Sequence, residues 1–276
     1  MIRYCFFNDE NVVAGFSERN GGVSPMPENS LNLSFSREPF GNRENVLENY
    51  RIACSQLGIG TDSVTRMYQV HGSDILTVRR EHRGMGVTRD IDAALAAHGY
   101  DGMITDVPGI TLSTTHADCT PVLLFDPVKR AAGAVHSGWK GTCLKISANA
   151  VKRMTEEFGS DPGDIKAIVG PSICMEHFEV RSDVYGQFCE AFKDVDECTL
   201  NSLIRGPEAG ETHGNDPKWH VDMRGFVKLT LTLSGVKADN IFDDRACTFC
   251  LEDRFFSHRR DGKASGAMAA FICLKE

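Results

Sequence analysis

Three short segments place a reactive side chain beside glycine or in a tight polar turn. They are Gln69-Val70-His71-Gly72-Ser73, Thr115-His116-Ala117-Asp118-Cys119-Thr120-Pro121 and Ala134-Val135-His136-Ser137-Gly138-Trp139-Lys140-Gly141-Thr142. Glycine next to His71 and His136 lets a ligand or a second backbone approach closely. If the segments converge, His71, Cys119 and His136 supply one thiolate and two imidazoles. That set suits tetrahedral Zn²⁺ with its fourth position open, the way catalytic rather than structural zinc is held. Such an ion polarises a substrate atom or makes water nucleophilic near neutral pH. Spacing alone does not demand a metal, and each histidine would serve equally as a hydrogen-bonded core or surface residue. Asp118, beside Cys119, is a candidate for proton transfer or for orienting a ligating imidazole, or it simply caps a turn. His116 reads first as a packed histidine and second as a spare ligand or base.

Other motifs offer less. The run from Gly133 to Thr142 looks briefly like a P-loop, but Trp139 stands where that motif needs lysine, and an indole there obstructs a phosphate cradle. Cys247-Thr248-Phe249-Cys250 is a lone C-x-x-C with no second pair to complete a zinc site, so ordinary buried or loop thiols are expected. The basic cluster in Phe255-Phe256-Ser257-His258-Arg259-Arg260-Asp261-Gly262 reads as a solvated turn, with charge for an anionic ligand as the alternative.

The elements that must position these residues are strands with chemistry at their ends. Apolar, β-branched runs predict strands over 110–114, 121–125, 131–136, 165–169 and 267–274. The helical spacing of Val46, Leu47, Tyr50, Cys54 and Leu57 predicts a helix that stops at Gly58-Ile59-Gly60. Further helices are predicted over 142–158, 183–192 and 222–234, the last with Asp222 as its N-cap. The polar stretch 206–217 reads as a long surface loop. Strands and helices mix without strict alternation, which favours α+β layers over a doubly wound sheet. The segment C-terminal to that loop is small for an independent core, so one domain spanning 1–276 is expected.

The 276 residues are 41% hydrophobic and 25% charged, an ordinary globular balance with ample length for a core. A net charge of −8 without a Lys/Arg run gives no reason to expect nucleic acid or an anionic membrane as partner. Residues 1–10 turn acidic before a signal-peptide core forms, and no apolar run is long enough to span a bilayer. A cytoplasmic chain is therefore expected, its ten cysteines free thiols with one or two as metal ligands. Nothing in the sequence specifies an oligomeric state.

Read together, the segments resemble the YfiH-type family, formerly called laccase-domain or multicopper polyphenol oxidases. The most specific pieces are Ala117-Asp118-Cys119-Thr120-Pro121-Val122-Leu123-Leu124 and His136-Ser137-Gly138-Trp139-Lys140-Gly141-Thr142. Supporting pieces lie, in the family's order, at 17–24, 30–33, 69–72, 101–105, 170–173, 178–180 and 255–262. The resemblance implies a four-layer α-β-β-α arrangement with mixed sheets. It also implies zinc on the residues matching His71, Cys119 and His136. Members are purine nucleoside enzymes: they phosphorolyse adenosine, inosine, guanosine and methylthioadenosine, and they deaminate adenosine to inosine. On this chain Asp118 and Cys119 would then carry catalysis, and Arg19, Arg51 and Lys140 are the candidates to hold phosphate beside the ribose C1′. Lys140 stands where the family more often has arginine, turning a bidentate contact into a point charge. Asn20 replaces a frequent histidine, and Ser265-Gly266-Ala267 lacks an arginine common after that glycine.

Three rivals compete with this reading. A trinuclear copper cluster is built largely from His-x-His pairs, and the nine histidines include none. A blue-copper site usually gathers Cys, His and Met on one short loop, which Cys119 and His136 do not share. A metal-free cysteine hydrolase or deamidase would use Cys119 as nucleophile and His136 as base. A purine-binding or partner-binding protein without turnover would be indifferent to loss of Cys119.

Overall fold

Continuous apolar runs, rather than alternating ones, mark strands buried on both faces. The runs at 121–125 and 131–136 are of this kind, and every residue of the strands that contain them, Thr120–Asp126 and Ala131–Ser137, is buried in the computed structural model of the protein. It describes residues 2–3, 7, 9–25, 30–36, 42–208, 211–214 and 216–276; Cys5 therefore lies outside the described residues.

Among the described residues, eleven strands build the two main sheets. In chain order they are β1 (Ile2–Arg3), β2 (Val12–Phe16), β3 (Val64–Thr65), β4 (Ile75–Thr77), β5 (Gly102–Thr105), β6 (Thr111–His116), β7 (Thr120–Asp126), β8 (Ala131–Ser137), β9 (Lys166–Val169), β10 (Ile241–Asp243) and β11 (Met268–Leu274). One sheet has the order β1-β2-β11-β6-β3, the other β10-β9-β7-β8-β5-β4. Both are mixed: β3 runs parallel to β6, β4 to β5 and β10 to β9, whereas the remaining pairs are antiparallel. Period-two alternation divides the side chains between layers. Leu123 and Phe125 of β7 point to the other sheet, where they meet Phe16, Leu112 and Ile272. Val122 and Leu124 point outward to helices.

Those helices are α3 (Ile146–Phe158) and α5 (Met223–Leu233), whose Ile146, Ala150, Met154, Val227 and Leu231 cover the six-stranded sheet. On the opposite side, α1 (Arg43–Leu57) lays Tyr50, Ala53 and Leu57 on Ala269 and Phe271 of β11. The result is a helix–sheet–sheet–helix sandwich, the layering the sequence resemblance implies. Asn42 caps α1 by accepting from Glu44 N, and Gly58 ends it at φ 71°, a left-handed conformation that glycine adopts without strain. Asp222 caps α5 by accepting from Gly225 N at 3.0 Å.

Two elements depart from expectation. The helix predicted over 142–158 is broken: α2 (Trp139–Cys143) ends before Lys145, whose φ of 58° no right-handed helix tolerates, and α3 begins afresh at Ile146. Apolar spacing carries no information about one residue's handedness, so the break is invisible to it. The stretch 206–217 holds a small ribbon, Thr212–His213 antiparallel to Asp216–Pro217, while 209–210 and 215 lie outside the described residues. A third sheet, Glu179–Val180 with Trp219–Val221 and Ile204–Arg205, packs with α4 (Ser182–Ala191) around Phe188, Phe192 and Phe226. No helix among the described residues is long and apolar enough to cross a membrane.

Candidate active site

The site lies where the chain crosses between the sheets. Residues 66–74 join β3 of the five-stranded sheet to β4 of the six-stranded one, and His71 is on that crossing. Residues 117–119 join β6 to β7, again from one sheet to the other, and Cys119 is on that crossing. His136 sits near the end of β8, opposite Pro121 in register. Two crossings and one strand end thus bring the potential ligand atoms of His71, Cys119 and His136 within 4.8 Å of one another. The two imidazoles meet edge to face, with ring centroids 4.9 Å apart.

A carboxylate organises the group from behind. Asp101, fully buried just before β5, accepts from the backbone N–H groups of Val70 (2.9 Å), His71 (3.0 Å) and Gly72 (2.7 Å). It also bonds His136 Nδ1 at 2.8 Å. The three N–H bonds hold His71 at φ 59°, a conformation uncommon outside glycine. The bond to Nδ1 places that proton toward Asp101 and leaves Nε2 free for a ligand, the carboxylate–histidine–metal arrangement. Glycine's small size matters at Gly138, where a β-carbon would lie 2.9 Å from His71 Cδ2 and 3.3 Å from Cys119 Sγ. At Gly72 it would meet only ordinary contacts.

The electrostatics follow from this packing. Burial pushes the Cys119 thiol up, but His136 and His71 outweigh it and bring it down to about 6. Burial opposes charge on His136, yet the Cys119 sulfur and Asp101 raise it to about 9. For Asp101, burial is overcome by His136 and the backbone N–H groups, and its carboxyl stays below the usual range. Burial, then His136, holds His116 down to about 3, a neutral ring. His116 packs edge-on against Phe16 and neither ring nitrogen has a hydrogen-bond partner among the described residues.

Two cavities, of about 600 and 650 Å³, open on either side of His71 and Cys119. The first is walled by Trp139, Ile173, Phe178, Val184 and Met223, with Asp118, Arg181 and Arg259 also in its lining. The second is more polar: Ser34, Ser36, Gln69, Thr115 and His116 line it, with the nearly buried Arg66 stacked over Phe35.

The predicted phosphate candidates lie apart from these cavities. Arg19 donates to the Glu252 carbonyl and lines a separate depression with Asn20 and Glu252. Arg51 is on the outer face of α1, paired with Glu48 at 2.8 Å. Lys140 is exposed on α2, its ammonium 5.5 Å from the Trp139 ring. Asp118 borders the first cavity but orients no imidazole: its carboxylate accepts from Thr248 Oγ1 and from Arg259 N, each at 2.6 Å. Asp101 has the orienting role, which residue type alone did not single out; its place at the start of β5, before Gly102, is the available signal.

Expectations for two other motifs change. The basic turn is solvated at His258 and Arg259, but Arg260 is half-buried and donates to the carbonyls of Thr248, Phe249 and Phe255. Arg259 likewise holds the carbonyls of His177 and Glu179. Cys247 and Cys250 are not ordinary loop thiols, because the fold brings them together with Cys174 and His177 into a second group of potential ligands. The missing half of that set is a C-x-x-H spacing about 70 residues upstream of the C-x-x-C, a long-range pairing no local pattern displays.

Comparison with known proteins places this architecture. The sequence model of the family described as "Multi-copper polyphenol oxidoreductase laccase" matches residues 13–275. Purine nucleoside phosphorylase YlmD of Bacillus subtilis is 32% identical over 98% of this chain and 91% of its own length. Purine nucleoside phosphorylase LACC1 of Mus musculus is 31% identical over 97% of this chain, which spans 56% of that longer relative. Adenosine deaminase RL5, from an unknown prokaryotic organism, is 32% identical over 80% of this chain and 79% of its own. Among solved structures, the hypothetical protein YfiH of Bacillus licheniformis superposes with a TM-score of 0.84 at 29% identity, covering 96% of this chain and 93% of the other. YlmD from Geobacillus stearothermophilus superposes at 0.82 with 30% identity, covering 97% and 93%.

Proposed function

This chain belongs to the YfiH/laccase-like family, and from that premise we propose that it is a zinc-dependent purine nucleoside phosphorylase that also deaminates adenosine. The observation carrying the proposal is the convergence of His71, Cys119 and His136, backed by Asp101, at the junction of two cavities. The donors fit zinc: two imidazoles and one thiolate-prone sulfur form a three-ligand set of the kind that leaves a fourth position open. When bound there, the metal supplies Lewis-acid activation of water for deamination. Copper fits less well, since the chain has no His-x-His pair from which a trinuclear cluster is assembled.

The chain's own groups do the rest. Asp101 fixes the His136 tautomer and the His71 loop. The apolar wall of the first cavity suits a purine ring, with Phe178, Val184 and Trp139 excluding water from its faces. Asp118, in the lining of the first cavity next to Cys119, moves or holds a proton on the substrate. Phosphate is met by arginine lining the cavities, Arg66 on one side or Arg259 on the other, in place of Arg19, Arg51 and Lys140. Adenosine, inosine, guanosine and methylthioadenosine are the proposed nucleosides, and the cytoplasm, without nucleic-acid or membrane partners, is the proposed setting.

A second reading has one observation in its favour. Without metal, the acidified Cys119, the basic His136 and Asp101 behind it make the nucleophile, base and orienting group of a cysteine hydrolase. Metal on Cys119 would occupy the lone pair that mechanism needs. Protein purified without added metal or a polyhistidine tag decides between them, by zinc and copper content and by the products from adenosine with and without phosphate. Zinc lost in His71→Ala and His136→Ala, with adenine and ribose 1-phosphate forming only with phosphate and inosine alongside, is the expected result. Full zinc in both variants excludes the ligand set, and no turnover with an alkylatable Cys119 favours the hydrolase.

A further inference from the structure

We propose that Cys174, His177, Cys247 and Cys250 form a second, structural zinc site that fastens the loops holding Asp118 beside Cys119. The four ligand atoms lie within 4.8 Å of one another. With Zn–S near 2.3 Å and Zn–N near 2.05 Å, a tetrahedral site has edges of about 3.8 Å between sulfurs and about 3.6 Å between sulfur and nitrogen. The Cys174 and Cys250 sulfurs are 4.0 Å apart, and His177 Nδ1 is 3.1 Å from the first and 3.4 Å from the second. Three thiols and one imidazole make a closed set with no open position, the signature of a structural rather than a catalytic ion. A disulfide would use two of the sulfurs and leave the third thiol and the histidine without purpose.

The backbone is arranged for the same end. Two short knuckles, Cys174-x-x-His177 and Cys247-x-x-Cys250, are laid side by side by a parallel bridge between Ser172 and Cys247. The N–H groups of Cys174 and Cys250 both point at Cys247 Sγ, at 3.3 and 3.5 Å, and stabilise charge on that sulfur. The His177 ring is stacked on Phe249 with centroids 4.1 Å apart, which fixes its plane while Nδ1 faces the sulfurs. Cys174 and Cys247 are nearly buried, so the group is not a chance surface cluster.

Its place in the fold gives the site a purpose. Thr248, between the two cysteines of the second knuckle, donates to the Asp118 carboxylate. Ile173, next to Cys174, donates its N–H to the Asp118 carbonyl at 3.0 Å. Arg259 holds the His177 carbonyl and gives its own N–H to the other Asp118 oxygen. Asp118 sits at φ 86°, a strained conformation that such surroundings must enforce. One ion binding both knuckles would lock all three attachments.

The test is metal content of reduced protein purified without added metal or tag, read in a chain whose first site is removed. The His71→Ala, Cys119→Ala double variant is expected to keep one zinc per chain, and Cys247→Ser, Cys250→Ser to carry one fewer than wild type. With cobalt in place of zinc, the first variant should show thiolate-to-cobalt charge-transfer absorption. A Cys250→His variant, which retains four ligands, should still bind one ion even if the double serine variant does not fold. A metal-free His71→Ala, Cys119→Ala chain, or a disulfide among Cys174, Cys247 and Cys250 in the reduced preparation, would overturn the proposal. Because the readout avoids the first site, these outcomes are independent of whether nucleosides are turned over.

Discussion

Asp101 accepts four hydrogen bonds on two oxygens, and no amide can imitate that. In Asp101→Asn the carboxamide turns an N–H₂ group toward either the Val70 and Gly72 donors or the His71 and His136 donors. Donor then faces donor at a fully buried position, at a cost of about 1–3 kcal/mol. The His71 loop relaxes and His136 loses the partner that sets its tautomer. Zinc affinity is expected to fall about 10–100-fold, as for other carboxylates behind ligating histidines, while the chain remains folded. Chelator competition measures the first and thermal unfolding the second; unchanged affinity would deny Asp101 its positioning role. At this scale the sequence offered His71, Cys119 and His136 by residue type, and the fold brings the three together. It did not show which carboxylate served them. Asp118 adjoins Cys119 in sequence and turned elsewhere, whereas Asp101 reaches His136 only through the pairing of β5 with β8.

Elements were legible where burial is two-sided and opaque where one dihedral decides. Strands β7, β8, β9 and β11 fall within a residue of their apolar runs, since a strand buried on both faces is mostly apolar, and β6, with one leucine among threonine and serine, falls within two residues of its run. The break between α2 and α3 turns on Lys145 alone and left no mark on the apolar stripe. Polar residues that tie elements together are equally hard to read, and Asn49 is the plainest example. Fully buried on α1, its amide donates to Ser24 Oγ at 2.9 Å and to the Asn32 carbonyl at 2.8 Å, and accepts from Val23 N at 2.8 Å. It pins the Asn20–Ser24 strand and the 30–32 segment to the helix. Asn49→Ala removes these three hydrogen bonds, two of them to the buried Ser24 and Asn32, and the urea midpoint should drop by the equivalent of about 2–4 kcal/mol. A loss below about 0.5 kcal/mol would mean that water replaces the amide. Because α1 lies on the outer face of the five-stranded sheet, zinc content should not change.

Across the whole molecule, the sandwich explains why the candidate site forms where it does. Chain crossings between two packed sheets must pass over the open end of the layer, where side chains from both sheets converge and no strand neighbour fills the space. His71 and Cys119 are on two such crossings, and cavities flank them on either side. The third sheet and α4 then build a wall over one of these cavities, contributing Val180 and Val184. This geometry predicts that the two cavities divide the substrate, with the purine ring against the apolar wall and the more polar side left for ribose and phosphate. Val184→Trp adds an indole to the apolar cavity without touching a ligand or Asp101. Its KM for adenosine should rise at least about tenfold, about 1.4 kcal/mol of binding, with kcat and zinc content near wild type. Tyr68→Ala, on the rim of the other cavity, should leave the adenine-dependent part of KM intact and change the response to phosphate instead. If Tyr68→Ala weakens adenosine binding and Val184→Trp does not, the base enters from the polar side, and the apolar wall serves another ligand.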